Sequence, residues 1–118
     1  MSSDLPDINQ GILKPDLFEK FKQQLQKDFE TCSLECGFSK TLVSDYDLIL
    51  SVISSEIRTI SHSPGKLNEL LYRIDISEMQ IKKLSNQKNE TNYETIVAEL
   101  IIKRILQKVV FKEYFKEK

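Results

Sequence analysis

Apolar residues dominate the C-terminal stretch Ile96–Phe111, where eleven of the sixteen positions are apolar. At 3.6 residues per turn these side chains surround most of a helix, so we expect a helix that is buried on more than one side. Thr91, followed three residues later by Glu94, has the pattern of a capping box. The many β-branched residues would also suit a strand, but a strand of this length is rare. We therefore predict a long, mostly buried C-terminal helix from Asn92 to about Phe115.

Two amphipathic segments precede this helix. Pro15 to Cys36 begins with a proline suited to the first turn of a helix, carries apolar residues at spacings of three and four, and is followed by Gly37 as a left-handed C-cap. Leu42 to Ser61 has a similar apolar stripe and is stopped by the turn at 63–65. Residues 1–14 show no sustained period, so we expect them to form a flexible N-terminal lead.

The apolar period breaks near Asp75. Lys66 to Ile74 has a helical apolar face, but Ile76 would point away from that face if the helix ran straight on. A serine followed three residues later by Gln80 offers a second capping box. We predict a short helix, a turn over Asp75 and Ile76, and a new helix from Ser77 to about Leu84, with one kinked helix as the alternative.

Composition supports an all-α fold. The chain has 118 residues, three glycines, three prolines and no tryptophan, which favours one helical domain over a turn-rich β fold. We predict a small bundle of four to five helices over residues 15–118. Cys32 and Cys36 are too few for a disulfide framework or a zinc site, so we expect reduced thiols near the core. No stretch resembles a membrane span or a secretory signal, which predicts a cytoplasmic protein that does not enter the membrane.

The charge is unevenly distributed. The formal net charge is −1, but residues 1–59 carry ten acids and six bases, whereas residues 60–118 carry eight acids and eleven bases. Any anionic partner would therefore meet the second half. Within it, four basic residues follow one another at a spacing of four: Arg104, Lys108, Lys112 and Lys116. Such a row could bind phosphates or an acidic surface, but we favour a solvated stripe on an otherwise apolar helix.

The break at Asp75 resembles a DNA-binding helix-turn-helix over about fifteen residues. Apolar residues and a capping serine stand at the matching positions: Leu70, Ile74, Ile76, Ser77, Ile81 and Leu84. The segment differs from the motif at Leu71, where a small residue is usual, and at Asp75, where glycine is usual. The resemblance implies that exposed polar side chains of the second helix would contact DNA, namely Gln80, Lys82, Lys83 and Lys88.

Catalytic patterns are scarce. His62 is the only histidine, and the sequence contains no glycine-rich phosphate loop and no Cys-x-x-Cys motif. We therefore predict no enzymatic activity, no catalytic residues, no cofactor, no metal and no small-molecule substrate. The leading hypothesis is a non-catalytic helical interaction or scaffolding protein that binds a protein partner or itself, for example as a homodimer, because its terminal helix requires extensive cover. The alternative, with nucleic acid as the partner, is a transcriptional regulator that uses residues 70–84.

Overall fold

Five α-helices share one apolar core in the computed structural model, which describes residues 14–88 and 91–116 and the side chains of this part as far as Glu113. The helices are α1 (Pro15–Thr31), α2 (Tyr46–Ile60), α3 (Pro64–Ile74), α4 (Glu78–Gln87) and α5 (Tyr93–Lys116), and a short 3-10 helix, Gly37–Thr41, lies between α1 and α2. The described part of the chain contains no strand. The predicted all-α fold is confirmed, whereas the predicted lead at 1–14 lies outside the described residues except for Lys14.

The long helix α5 packs against each of the other four helices, most extensively against α2. Its core side chains are at most 3% exposed: Ile96, Val97, Ala98, Ile101, Ile102, Ile105, Leu106 and Val109. The predicted long, buried C-terminal helix is therefore confirmed, and one chain covers it. Despite the apolar character of α5, no helix among the described residues has both the length and the hydropathy required to cross a membrane.

Helix α1 ends at Thr31, so the predicted end at Cys36 is wrong. Ser33 adopts a left-handed conformation with φ 60°. This allows the backbone N–H of Leu34 to donate to the carbonyl of Phe29, while the N–H of Ser33 donates to Glu30, both at 3.0 Å. This pair of bonds forms a Schellman motif, which usually has glycine at the left-handed position. Because a serine occupies it, the sequence pattern did not reveal the end of the helix.

The segment between α1 and α2 also differs from the prediction. Gly37 begins the 3-10 helix and has a negative φ, so it is not a left-handed C-cap. Leu42 is buried but lies outside the next helix, which begins at Tyr46 rather than at Leu42. There the Asp45 carboxylate accepts a hydrogen bond of 3.1 Å from the backbone N–H of Leu48. The predicted helix started too early because Leu42 belongs to the apolar pattern but lies in non-helical backbone. A residue can be buried without being part of a helix.

The turn between α3 and α4 confirms the predicted division into two helices. Asp75 is left-handed, with φ 75° and ψ 51°, and the N–H groups of Asp75 and Ile76 both donate to the carbonyl of Leu71. Ser77 and Gln80 form both bonds of the predicted capping box. Ile76 is only 7% exposed, so the bend directs it into the core.

The N-terminal cap of α5 is Asn92 rather than Thr91. The Asn92 side-chain oxygen accepts a hydrogen bond of 2.8 Å from the backbone N–H of Thr95. The predicted capping box of Thr91 with Glu94 is therefore wrong by one residue. Asparagine is among the strongest N-cap residues, so the helix begins at the better of two adjacent candidates.

Candidate anion-binding groove

A fully buried carboxylate, Asp28, connects three helices. It accepts hydrogen bonds from Gln24 Nε2 on α1 at 3.0 Å, from Arg73 Nε on α3 at 3.1 Å and from Lys108 Nζ on α5 at 3.0 Å. Burial of a carboxylate is costly unless charged or hydrogen-bonding partners replace the lost water. Here two cations and one amide supply those partners, and the carboxylate in turn fixes the positions of both cations.

The basic row of α5 meets α1 and the α3–α4 turn. Arg104 Nη2 lies 3.0 Å from Asp75 Oδ2, Lys108 reaches Asp28, and the Lys112 ammonium donates to the side-chain oxygen of Gln24. These three residues are therefore not the purely solvated stripe that we expected, because each has a partner on another part of the fold. The side chain of the fourth member of the row, Lys116, lies outside the described residues.

These cations border a surface cavity of about 440 Å³, which we call the basic groove. Its lining residues come from α1, α3 and α5: Gln24, Lys27, Arg73, Arg104, Lys108, Phe111 and Lys112. Five of these side chains are cationic, and the two carboxylates that pair with them are Asp28 and Asp75, which leaves a formal charge of +3. A concave surface with low-dielectric walls concentrates the field of such charges. The groove is therefore suited to binding an anion.

The residues predicted to contact DNA lie elsewhere, on or next to α4. Gln80, Lys82, Lys83 and Lys88 are all exposed. The Gln80 side chain is used by the capping box, and Lys88 forms an ion pair of 2.9 Å with Glu99 of α5. Lys82 and Lys83 form no ion pair with any described residue. None of the four residues lines the basic groove.

The apolar residues of the helix-turn-helix-like segment lie in or against the core. Leu71, which stands where the motif usually has a small residue, is 7% exposed and packs with the core. The remaining apolar members of the motif are buried or partly buried against it: Leu70, Ile74, Ile76, Ile81 and Leu84. The local geometry thus matches the predicted bend. The position where the motif usually has a small residue, which lets the two helices approach closely, is occupied here by Leu71.

Sequence reasoning did not single out Asp28, Gln24 or Arg73. A signal for Asp28 was nevertheless present, because it lies three residues after Leu25 and seven after Phe21, on the apolar face of α1. An acid on such a face requires cations from neighbouring elements. The period of α1 cannot identify those cations, because it carries no information about which helices meet there.

The two cysteine thiols are not activated as nucleophiles. Burial raises the pKa of the Cys36 thiol to about 11, and burial is also the main cause of the raised pKa of Cys32. Both cysteines are free and buried, as expected, and His62 is exposed. Among the residues that the structure describes, no group of three or more histidine, cysteine or acidic side chains is arranged to hold a metal ion.

Known proteins add no information about the groove. Comparisons of the chain with protein-family models, curated proteins and solved structures found no match.

Proposed function

We propose that this protein is a non-catalytic helical interaction protein that binds an acidic partner through the basic groove. The observation that carries the proposal is the formal charge of +3 in a concave surface built around the buried Asp28. The whole chain has a net charge of −1, so this positive charge is a local feature of the fold. Local fields of this kind accelerate encounter with an oppositely charged partner and orient it.

Four of the five cations of the groove, all except Lys27, are held in place before a partner arrives. Lys108 and Arg73 share the Asp28 carboxylate, and Lys112 is held by Gln24, which itself donates to Asp28. Long basic side chains lose considerable conformational entropy when a contact immobilises them. A network that already positions them lowers this cost, so more of the electrostatic attraction contributes to binding.

A charge-reversal experiment tests the proposal. The probe is a fluorescently labelled peptide of about ten glutamates, a length that allows charged groups to lie within a Debye length of the groove. We expect Lys27→Glu with Lys112→Glu to weaken binding at low salt by about tenfold or more, which is about 1.4 kcal/mol. Fluorescence anisotropy measures the affinity.

The matched control is Lys40→Glu with Lys103→Glu, which changes the charge equally at two exposed lysines outside the groove. This variant should bind within about threefold of the unmodified protein, because its net charge equals that of the groove variant while all five cations of the groove are kept. Equal losses in both variants, or no binding by the unmodified protein, would contradict the proposal.

Self-association stays a prediction. It was motivated by the apolar composition of α5, but packing within one chain already buries the core side chains of that helix. Its remaining support is the exposure of large apolar side chains, such as Tyr72 at 89% and Met79 at 78%. Light scattering at high protein concentration tests it, and a strictly monomeric mass would contradict it.

A DNA-binding regulator is the second candidate function. It is favoured by the left-handed Asp75, the buried Ile76 and the capped start of α4, since a recognition helix needs such a bend before it. The exposed Lys82 and Lys83 would then be available to phosphates or bases.

For this second candidate we expect Lys83→Glu to weaken binding to a labelled DNA duplex by about tenfold at low salt, through loss of a phosphate contact and added repulsion. Lys40→Glu, at an exposed lysine of the 3-10 helix, is the control for charge alone. Anisotropy titrations at low salt and at about 0.15 M salt measure both affinities, because phosphate contacts weaken steeply as salt rises. The same affinity for both variants would count against recognition by α4.

A cytoplasmic location belongs to the same proposal. The two free and buried thiols support a reducing compartment, where disulfides are rare. Cell fractionation tests this, and recovery of the protein outside the cytoplasm would contradict it.

A further inference from the structure

Several donors in the basic groove are left over after the network around Asp28 is complete. Arg73 uses only its Nε for Asp28, so the two terminal nitrogens of its guanidinium make no hydrogen bond to described residues. Lys27 is exposed and forms no ion pair with any described residue. Lys112 donates to a neutral amide oxygen rather than to a carboxylate. Two ammonium groups and one guanidinium edge are therefore available to a ligand of the groove.

Arg104, which also lines the groove, has one donor that no described residue satisfies. Its terminal nitrogens bond Asp75 and Gln107, but its Nε is buried and has no hydrogen-bond partner in the described structure. An unsatisfied buried donor is destabilising, because its lost hydrogen bond to water is not replaced. Such uncompensated costs are uncommon in native proteins and call for a specific reason. Retaining a charged guanidinium at the wall of the groove is such a reason.

The chemistry of these donors favours phosphate over carboxylate. A carboxylate carries one negative charge and two oxygens, whereas a phosphate ester carries about −1.5 to −2 at pH 7 and three acceptor oxygens. The edge of a guanidinium can bond two phosphate oxygens at once, and ammonium groups act as flexible point charges beside it. Two adjacent phosphates would approximately neutralise the formal charge of +3. The cavity of about 440 Å³ is large enough for groups of this size.

We infer that the acidic ligand of the basic groove carries closely spaced phosphate groups, recognised by the terminal nitrogens of Arg73 together with Lys27 and Lys112. This inference rests on the proposed function, because it names the chemistry of the partner at the same groove. The phosphates have two sources, a phosphorylated segment of a protein partner or a free oligophosphate, and both present the same oxygens to the groove.

Isothermal titration calorimetry in metal-free buffer at low salt tests the inference with three probes. One is a peptide with two adjacent phosphoserines, the second is the same peptide with about two glutamates replacing each phosphoserine to match its charge, and the third is inorganic tripolyphosphate. We expect the phosphopeptide to bind about tenfold or more tighter than the glutamate peptide, since charge-assisted bonds to phosphate use the guanidinium edge. When the phosphopeptide binds tighter than the glutamate peptide, a still tighter binding of tripolyphosphate favours a free oligophosphate over a phosphorylated segment as the source.

The Arg73→Lys variant separates phosphate recognition from charge. Lysine keeps the positive charge beside Asp28 but loses the planar edge, so the preference for the phosphopeptide over the glutamate peptide should fall to about threefold or less. Circular dichroism first establishes that this variant is folded. In the unmodified protein, equal affinity for the two peptides overturns the inference and leaves the proposed function standing. If none of the three probes binds, the inference fails, and the proposed function fails with it only when the peptide of about ten glutamates does not bind either.

Discussion

The Asp28→Asn variant is expected to lose about 3 kcal/mol of its free energy of unfolding, a large part of the 5–15 kcal/mol typical of a domain. The substitution keeps the shape of the side chain and removes its charge. Arg73 and Lys108 then lose the carboxylate that they share in a site where Asp28 itself is fully buried. The side chains of Arg73 and Lys108 are 37% and 22% exposed, so water partly solvates their unpaired charges. The expected loss of stability is therefore at the lower end of the range for broken buried ion pairs.

Asp75→Asn is the matched control for this prediction. Asp75 also pairs with an arginine at a similar distance, 3.0 Å compared with 3.1 Å, but its side chain is 78% exposed. Asparagine tolerates the left-handed backbone of this position about as well as aspartate does. We therefore expect a loss of less than about 1 kcal/mol. Urea denaturation followed by circular dichroism measures both variants, and equal losses would show that burial of Asp28 adds nothing.

Replacement of the whole network distinguishes stability from binding. When Asp28, Arg73 and Lys108 are exchanged together for apolar residues of similar volume, no charge is left unpaired, and buried ion networks replaced in this way are often as stable as before. Such a variant should recover much of the stability lost by Asp28→Asn, while its groove loses two of five cations. A stable variant with weakened peptide binding would indicate that the network serves recognition.

Phe29→Ala should destabilise the protein by about 4 kcal/mol. The Phe29 ring is fully buried and contacts Phe38 edge to face, with ring centroids 5.5 Å apart and planes at 73°. Its carbonyl also accepts the bond from Leu34 that ends α1. Removal of the ring leaves a cavity near the end of α1, and the surrounding helices can fill it only in part.

The control is Phe111→Ala, at a phenylalanine that is 49% exposed. Because about half of that ring already contacts solvent, its removal should cost less than about half as much. Denaturant unfolding again measures both variants. A loss from Phe29→Ala no larger than that from Phe111→Ala would contradict the assignment of Phe29 to the core.

Local signals in the sequence predicted most of the helices but not all of their ends. The capping box of Ser77 with Gln80 and the bend at Asp75 were correctly predicted, because both depend on contacts within five residues of the chain. The end of α1 was missed because Ser33 holds a left-handed position usually occupied by glycine. The N-cap of α5 was predicted one residue too early, at Thr91 instead of Asn92, because only Thr91 has a glutamate three residues later.

The candidate site was predicted only in part. The basic row of α5 was recognised from its spacing of four, and the position of Asp28 on the apolar face of α1 can be read from its spacing to Phe21 and Leu25. Neither pattern shows that Asp28 meets Lys108, 80 residues later, or Arg73, 45 residues later. Helical period specifies which side chains share a face, but not which helix that face will contact.

The sequence by itself thus determined the all-α class, the buried terminal helix and the bend at Asp75, because periodicity, caps and turn residues act over short distances along the chain. Only the tertiary structure decided that α5 is covered within one chain, and that its basic residues gather with Arg73 and Lys27 into a groove around Asp28. The physical reason is that the partners of a buried charge are selected by the packing of whole helices, which brings together residues from distant parts of the chain.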